Sequence, residues 1–265
     1  MNNLIKLSDA RECFIKAAKL YCGTYDVDKT NELIIERIIE YIDRSPAFTG
    51  QTKYGILDLN KGLMLIGNPG SGKTTILEVL RVILRKTPLG FIKRSTAEIT
   101  DQFAKDGPKY LKTLTGNIFF DDLGFENPAV RYGDKRELMK DIIFSRYDQM
   151  RYTGAISHFT SMSNPVEIEQ KYGKFAWSRL CQMCNIFILG GNTDSPDRRK
   201  TSLIVERPRF DKMPRLYVTK AEYDEAIELQ KIREWYKKEA EKPREMTKPK
   251  GSGTRLREYF DKALG

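Results

Sequence analysis

The 265-residue sequence predicts an α/β fold with a mainly parallel five-stranded sheet flanked by helices. Three observations point to it. Short apolar runs alternate with helical patterns between residues 62 and 189. The first of these runs passes directly into a glycine-rich loop and a helix. A later one ends in two adjacent aspartates.

The elements follow in order. A helix after Ser8 has Phe14, Ala17, Ala18 and Tyr21 at helical spacing and stops near Gly23. A second helix after Thr30 puts Ile34, Ile35, Ile38, Ile39 and Ile42 on one side, and Ser45-Pro46 ends it. Residues 46–60 read as a connector. Gly62 to Ile66 is a buried strand, 73–86 a helix and Phe91 to Lys93 a second strand. Ser95 with Glu98 has the capping-box spacing and opens a helix near residue 96. Asn117 to Phe120 is a third strand, followed by a long helix at 135–152. Ile156 to Met162 and Asn185 to Leu189 complete the five strands. Thr219 with Glu222 opens a last helix reaching about residue 240. The organisation is therefore a helical N-terminal region (1–50) suited to a partner, a core (51–202), an extension with a helix (203–240) and a basic flexible tail (241–265).

Composition narrows the function. Thirteen Phe, 13 Tyr and two Trp can fill a core, so extensive disorder is excluded. A mean hydropathy of −0.52 and the lack of a long apolar run argue against a membrane span. No secretory signal pattern is visible and four cysteines make no disulfide scaffold, so a cytoplasmic protein is expected. Lys and Arg number 46 against 36 Asp and Glu, a net charge of +10 that favours a polyanionic partner such as DNA. By charge, Lys93, Arg94, Lys105 and Lys109 are candidate contacts.

The strongest motif is Gly67-Asn68-Pro69-Gly70-Ser71-Gly72-Lys73-Thr74, followed by Thr75. It matches G-x-x-x-x-G-K-[ST] between a buried strand and a helix. Such a loop turns its backbone N–H groups towards phosphate oxygens, at the positive end of the following helix. Lys73 is placed to hold the β- and γ-phosphates of ATP, and Thr74 to ligate Mg²⁺. Asp121, at the tip of another strand, is the second metal-side ligand. Asp122 is placed to orient or deprotonate the attacking water. His158, the one histidine, reads as a satisfied strand residue. Cys181 and Cys184 read as buried helix cysteines, since zinc sites of that spacing need a second pair.

Four further segments accompany the loop: Asp121-Asp122-Leu123-Gly124-Phe125-Glu126, Ile142 to Tyr147 with its Arg146-Tyr147 pair, Thr160-Ser161-Met162-Ser163-Asn164-Pro165, and Tyr172-Gly173 with Ala176 to Leu180. In this order the set resembles the DnaC/DnaI helicase loaders and the IstB transposition helpers, within the AAA+ ATPases, over about residues 60–200. The resemblance implies a P-loop NTPase core that binds ATP and hydrolyses it with Mg²⁺. It implies that Asn164 senses the γ-phosphate, that Arg179 is an arginine finger reaching a neighbouring subunit, and that Arg198 approaches the nucleotide as a second sensor. It also implies self-association and a replicative helicase as partner, with single-stranded DNA favoured, or a transposase with duplex DNA. Asp122 stands where many AAA+ proteins carry Glu and is one methylene shorter. That difference leaves room for a nucleotide-switched adaptor with little turnover. The string Thr160 to Asn164 departs from the family's usual form by two extra residues or by a shifted register.

Overall fold

The computed structural model describes residues 4–6, 10–22, 25, 27–28, 31–131, 134–190 and 215–217. Its elements in chain order are β1 (Leu4–Lys6), α1 (Ala10–Cys22), α2 (Glu32–Ile42), β2 (Gln51–Thr52), β3 (Gly55–Ile56), β4 (Gly62–Gly67), α3 (Lys73–Ile83), β5 (Ile92–Ser95), α4 (Thr96–Asp106), α5 (Pro108–Leu111) and β6 (Ile118–Asp121). They continue with β7 (Ala129–Arg131), β8 (Asp134–Arg136), α6 (Leu138–Thr153), β9 (Ser157–Ser161), α7 (Pro165–Tyr172), α8 (Lys174–Met183), β10 (Cys184–Leu189) and β11 (Arg215–Tyr217).

Five strands form one sheet in the order β10-β4-β9-β6-β5, and every neighbouring pair is parallel. The expected parallel five-stranded sheet flanked by helices is therefore present. β4, β6 and β9 carry buried side chains on both faces, as strands covered by helices on both sides must. Two apolar clusters result. One joins Phe14, Ala17 and Ala18 of α1 and Ile35, Ile38 and Ile42 of α2 to Leu63, Leu65, Leu77 and Phe119. The other joins Met64, Ile118, Phe120 and Phe159 to Ile142, Ile143, Leu180 and Met183. The N-terminal helices thus share a core with β4 and α3. Because the sheet is parallel, Gly67, Ser95, Asp121, Ser161 and Leu189 all end their strands at the same edge. That edge is where α/β folds build sites.

Several local expectations change. The connector at 46–60 contains the antiparallel β2–β3 pair. The helix expected at 73–86 ends at Ile83, and the one expected from 135 begins at Leu138, because Asp134–Arg136 pairs with Ala129–Arg131 as a hairpin. Ser95 stands at the start of α4 but makes no side-chain cap. It is also the last residue of β5, held opposite Asp121 by the ladder. Thr96 donates its hydroxyl to the Asp122 carbonyl beside it (2.8 Å). Cys184 is the first residue of β10, not a helix residue, while Cys181 remains in α8. Cys184 Sγ donates to the Ser157 carbonyl (3.4 Å), and no group of three or more potential metal ligands occurs among the described residues. His158 is a buried strand residue whose Nδ1 accepts from the Leu63 N–H (3.1 Å). No helix among the described residues is long and apolar enough to cross a membrane. Ser8, Gly23 and Thr30, the helix expected at 219–240, the tail at 241–265 and Arg198 lie outside the described residues.

Candidate nucleotide site

The site grows from the end of β4. Gly67 closes the strand so tightly against β10 that a Cβ there would lie 2.5 Å from the Leu189 carbonyl oxygen, which only glycine avoids. The loop then turns into α3 through Gly72, whose φ of +93° is the left-handed region. Asn68 and Pro69 form the exposed crest of the loop. Ser71 is buried, and its N–H donates to the Asn68 carbonyl (3.2 Å). Lys73 is almost fully buried. Its Nζ donates to the carbonyls of Gly67 (2.6 Å) and Asn68 (2.8 Å). The loop therefore holds a positive charge at the N-terminus of an eleven-residue helix.

Thr74 and Asp121 are 47 residues apart in sequence and meet across the edge: the Thr74 hydroxyl donates to Asp121 Oδ1 (3.0 Å). The Thr160 hydroxyl donates to the same oxygen (2.6 Å), from β9. On the other side of the carboxylate, Lys93 Nζ lies 2.7 Å from Asp121 Oδ2 and 3.1 Å from Glu78 Oε1. Burial pulls the Lys93 ammonium down, but the hydrogen bonds and charges of Asp121 and Glu78 outweigh it and hold it above its ordinary value. Thr74 and Asp121 are hard oxygen donors side by side at the mouth of a phosphate-type loop, a donor set that suits Mg²⁺. They fit the metal that the loop chemistry implies.

Asp122 follows with φ of +61°, a left-handed conformation that Asp tolerates better than most residues. Its N–H donates to Thr160 Oγ1 (2.9 Å). Leu123 and Gly124 are then tied down from β9 and α7. Ser161 donates to the Leu123 carbonyl (2.6 Å), and Lys171 Nζ donates to the carbonyls of Gly124 and Glu126, both at 2.8 Å. Glu126 is buried. It accepts from the Gly124 N–H (3.0 Å) and from the Tyr172 hydroxyl, and pairs with Lys171 (3.2 Å).

Asn164 caps α7. Its Oδ1 accepts from the N–H groups of Val166 (2.9 Å) and Glu167 (3.1 Å), and Glu167 returns a bond to the Asn164 N–H (2.8 Å). Those bonds occupy Oδ1 and leave the amide Nδ2 out of the cap. Arg179 is held by α6 and by its own helix. Its guanidinium lies 4.1 Å from the Tyr147 ring centroid, and Nη1 donates to Gln182 Oε1 (3.1 Å). Thr75, the third residue of α3, is half-buried.

The structure therefore brings together the loop, Lys73, Thr74, Asp121 and Asp122. It sets Asn164 at a helix cap and Arg179 on α8. Three members of the site were not singled out for it from the sequence. Thr160 stood inside the Thr160 to Asn164 string. Glu78 is four residues beyond Thr74 on the same helix face. By charge alone Lys93 is a candidate DNA contact; in the structure two carboxylates engage it. Arg94 is half-buried, whereas Lys105 and Lys109 are exposed.

Comparison with known proteins adds fold-level similarity. No protein-family model and no curated protein matches the chain. Among solved structures it is similar to the DnaC helicase loader, at 16% identity over 63% of this chain and 94% of that one, with a TM-score of 0.46. It is similar to DnaI at 16% identity over 65% and 92%, also at 0.46. It is similar to AMPPCP-bound DnaA from Aquifex aeolicus at 14% identity over 93% and 71%, at 0.48.

Proposed function

We propose that this protein is an ATPase acting on DNA, and that its role is that of a DnaC-like helicase loader in replication. The observation that carries the nucleotide part is the meeting of Thr74 and Asp121 beside Lys73, at the mouth of a glycine loop on the carboxyl edge of a parallel sheet. In this reading the loop N–H groups and Lys73 bind the β- and γ-phosphates of ATP. Thr74 and Asp121 hold Mg²⁺, which supplies charge neutralisation across those phosphates. Asp122 orients the attacking water, and the Nδ2 amide of Asn164 serves the γ-phosphate while its Oδ1 caps α7. Arg179 reaches the nucleotide of a neighbouring copy, with Tyr147 packed against its guanidinium. Arg198 completes the nucleotide contacts.

The DNA part rests on the ordered motifs, on the net charge of +10 and on the exposed Lys105 and Lys109. Single-stranded DNA and a replicative helicase are the proposed partners, with residues 1–50 meeting the helicase. A second reading, a nucleotide-switched adaptor with little turnover, is favoured by Asp122, whose short side chain springs from a left-handed backbone.

The experiment is ATP turnover by the purified chain at moderate salt, with no DNA, with single strands and with duplex. Stimulation by single strands is the expected result. Stimulation by duplex alone points to a transposition helper. ATP binding with no turnover in any condition points to the adaptor. No binding of ATP at all overturns the site.

A further inference from the structure

Both oxygens of Asp121 are engaged, and by different kinds of group. Oδ1 accepts from two hydroxyls, those of Thr74 and Thr160. Oδ2 takes an ammonium, that of Lys93, at 2.7 Å. Lys93 reaches it from β5, the strand hydrogen-bonded to β6, and its Nζ passes 5.6 Å from the Phe119 ring centroid. The same ammonium is 3.1 Å from Glu78, which is 7% exposed and also takes Arg81 Nε at 2.7 Å. A cavity of about 580 Å³ adjoins this cluster, lined by Arg81, Lys93, Arg94, Glu98 and Asp121 among others.

We propose that Lys93 is a positioning residue that competes with Mg²⁺ for Asp121, and that Glu78 is the anchor to which its ammonium withdraws when the metal binds. The proposal rests on the nucleotide-site reading above. A monovalent cation and a divalent one at the same carboxylate repel strongly, the more so where solvent is scarce. The Lys93 stem is a flexible four-carbon chain, and its second partner is already in contact, so the ammonium can leave Asp121 and keep its ion pair with Glu78. The adjoining cavity gives it room. The carboxylate is thereby kept turned towards Thr74 before metal arrives, at the cost of a higher metal requirement.

The test is the binding of a fluorescent ADP analogue to the full chain over a range of Mg²⁺ concentrations and in EDTA. Lys93→Met is expected to lower the Mg²⁺ needed for half-maximal metal-dependent binding by about tenfold, the ratio that ~1.4 kcal/mol represents. Lys93→Arg, which keeps the charge, is expected to retain the high requirement. Glu78→Gln is expected to raise it, because Lys93 then has only Asp121 to hold. The double variant Lys93→Met with Glu78→Gln should behave as Lys93→Met alone. A mere field effect of two charges would instead add in the double variant. Binding in EDTA reads the loop without metal and is the reference for each variant. If Lys93→Met needs as much Mg²⁺ as the parent, or more, competition is overturned. So it is if Glu78→Gln keeps its full effect without Lys93. Should Lys93→Met not accumulate as folded protein, Lys93→Gln carries the same expectation and the Glu78→Gln arm stands independently. A parent protein that binds no nucleotide, with or without Mg²⁺, brings down the site reading itself. Normal nucleotide binding with unaltered Mg²⁺ dependence brings down only the role of Lys93.

Discussion

The two ends of β6 each hold a cation, and they hold it differently. At the amino end, Arg146 of α6 is fully buried and donates to five neutral acceptors: the carbonyls of Leu114, Gly116 and Ile156, Ser157 Oγ and Gln149 Oε1. Burial lowers it to about 10, and it remains charged at neutral pH. At the carboxyl end, Lys93 stands between two carboxylates and keeps part of its side chain in solvent. The guanidinium fork locks a loop, a helix and a strand together by geometry. The ammonium holds its partners by charge on a flexible stem, and can exchange one for another. One end of the sheet is locked by geometry, and under the proposed function the other is where the chemistry takes place, at the carboxyl edge that α/β folds generally use.

Substitutions can break or sharpen this contrast. The largest effect should come from Arg146→Met. It leaves several buried carbonyls without a donor and should cost about 3–5 kcal/mol, comparable to breaking a buried charged network. Chemical denaturation measures it, and a loss below ~1 kcal/mol would contradict the locking role. Asp121→Asn should do the opposite. Its stability loss should be smaller than that of Arg146→Met, but ATP turnover should fall at least about 100-fold, since metal-held charge stabilisation is worth several kcal/mol. Steady-state kinetics alongside a melt separates the two effects.

Tyr172→Phe tests the clamp on the segment after Asp122. It removes a donor from the buried Glu126 carboxylate and should cost about 1–3 kcal/mol. A neutral result in denaturation would mean that Lys171 and the Gly124 N–H suffice.

His158 provides a pH signature. Burial, with the nearby Arg146 charge, lowers it from the ordinary 6.5 to about 3. Below pH 6.5 the unfolded chain takes up a proton that the folded chain refuses. Stability from this group is therefore intact above about 6.5 and is lost as pH falls towards 3, at up to ~1.4 kcal/mol per pH unit. His158→Gln should flatten the profile over that window, and an unchanged slope would assign it to other groups.

The smallest effect separates two duties of one residue. Asn164→Ala should cost about 1 kcal/mol through the lost cap, whereas Asn164→Asp keeps the cap and removes the amide donor. Turnover lost in both variants, with stability lost only in Ala, is the expected pattern. Normal turnover in Asn164→Asp would leave Asn164 a cap and nothing more.

Much of the fold was legible because its signals are local. The glycine loop, the apolar runs of β4, β6 and β9 and the isoleucine stripe of α2 each declare themselves within a few residues. Gly133-Asp134 is a turn signal, but the charged run after it also suits a helix start, so the sequence alone does not specify the β7–β8 hairpin. The Ser95–Glu98 spacing suggested a cap that the ladder to Asp121 made unnecessary. Arg146 shows in the sequence only as part of the Arg146-Tyr147 pair, because acceptors drawn from a loop, a strand and its own helix cannot be read from the helix it sits on.

By itself the sequence determined the alternation of strands and helices, the phosphate-type loop and the acidic strand end, since these depend on spacing and on what glycine, lysine and aspartate can do locally. Only the tertiary structure decided which charges meet. Lys93 belongs to the carboxylate of Asp121 because β5 and β6 pair in one particular register, and Glu78 joins them because α3 crosses that edge. Register and crossing follow from the packing of the whole sheet, so no local pattern carries them.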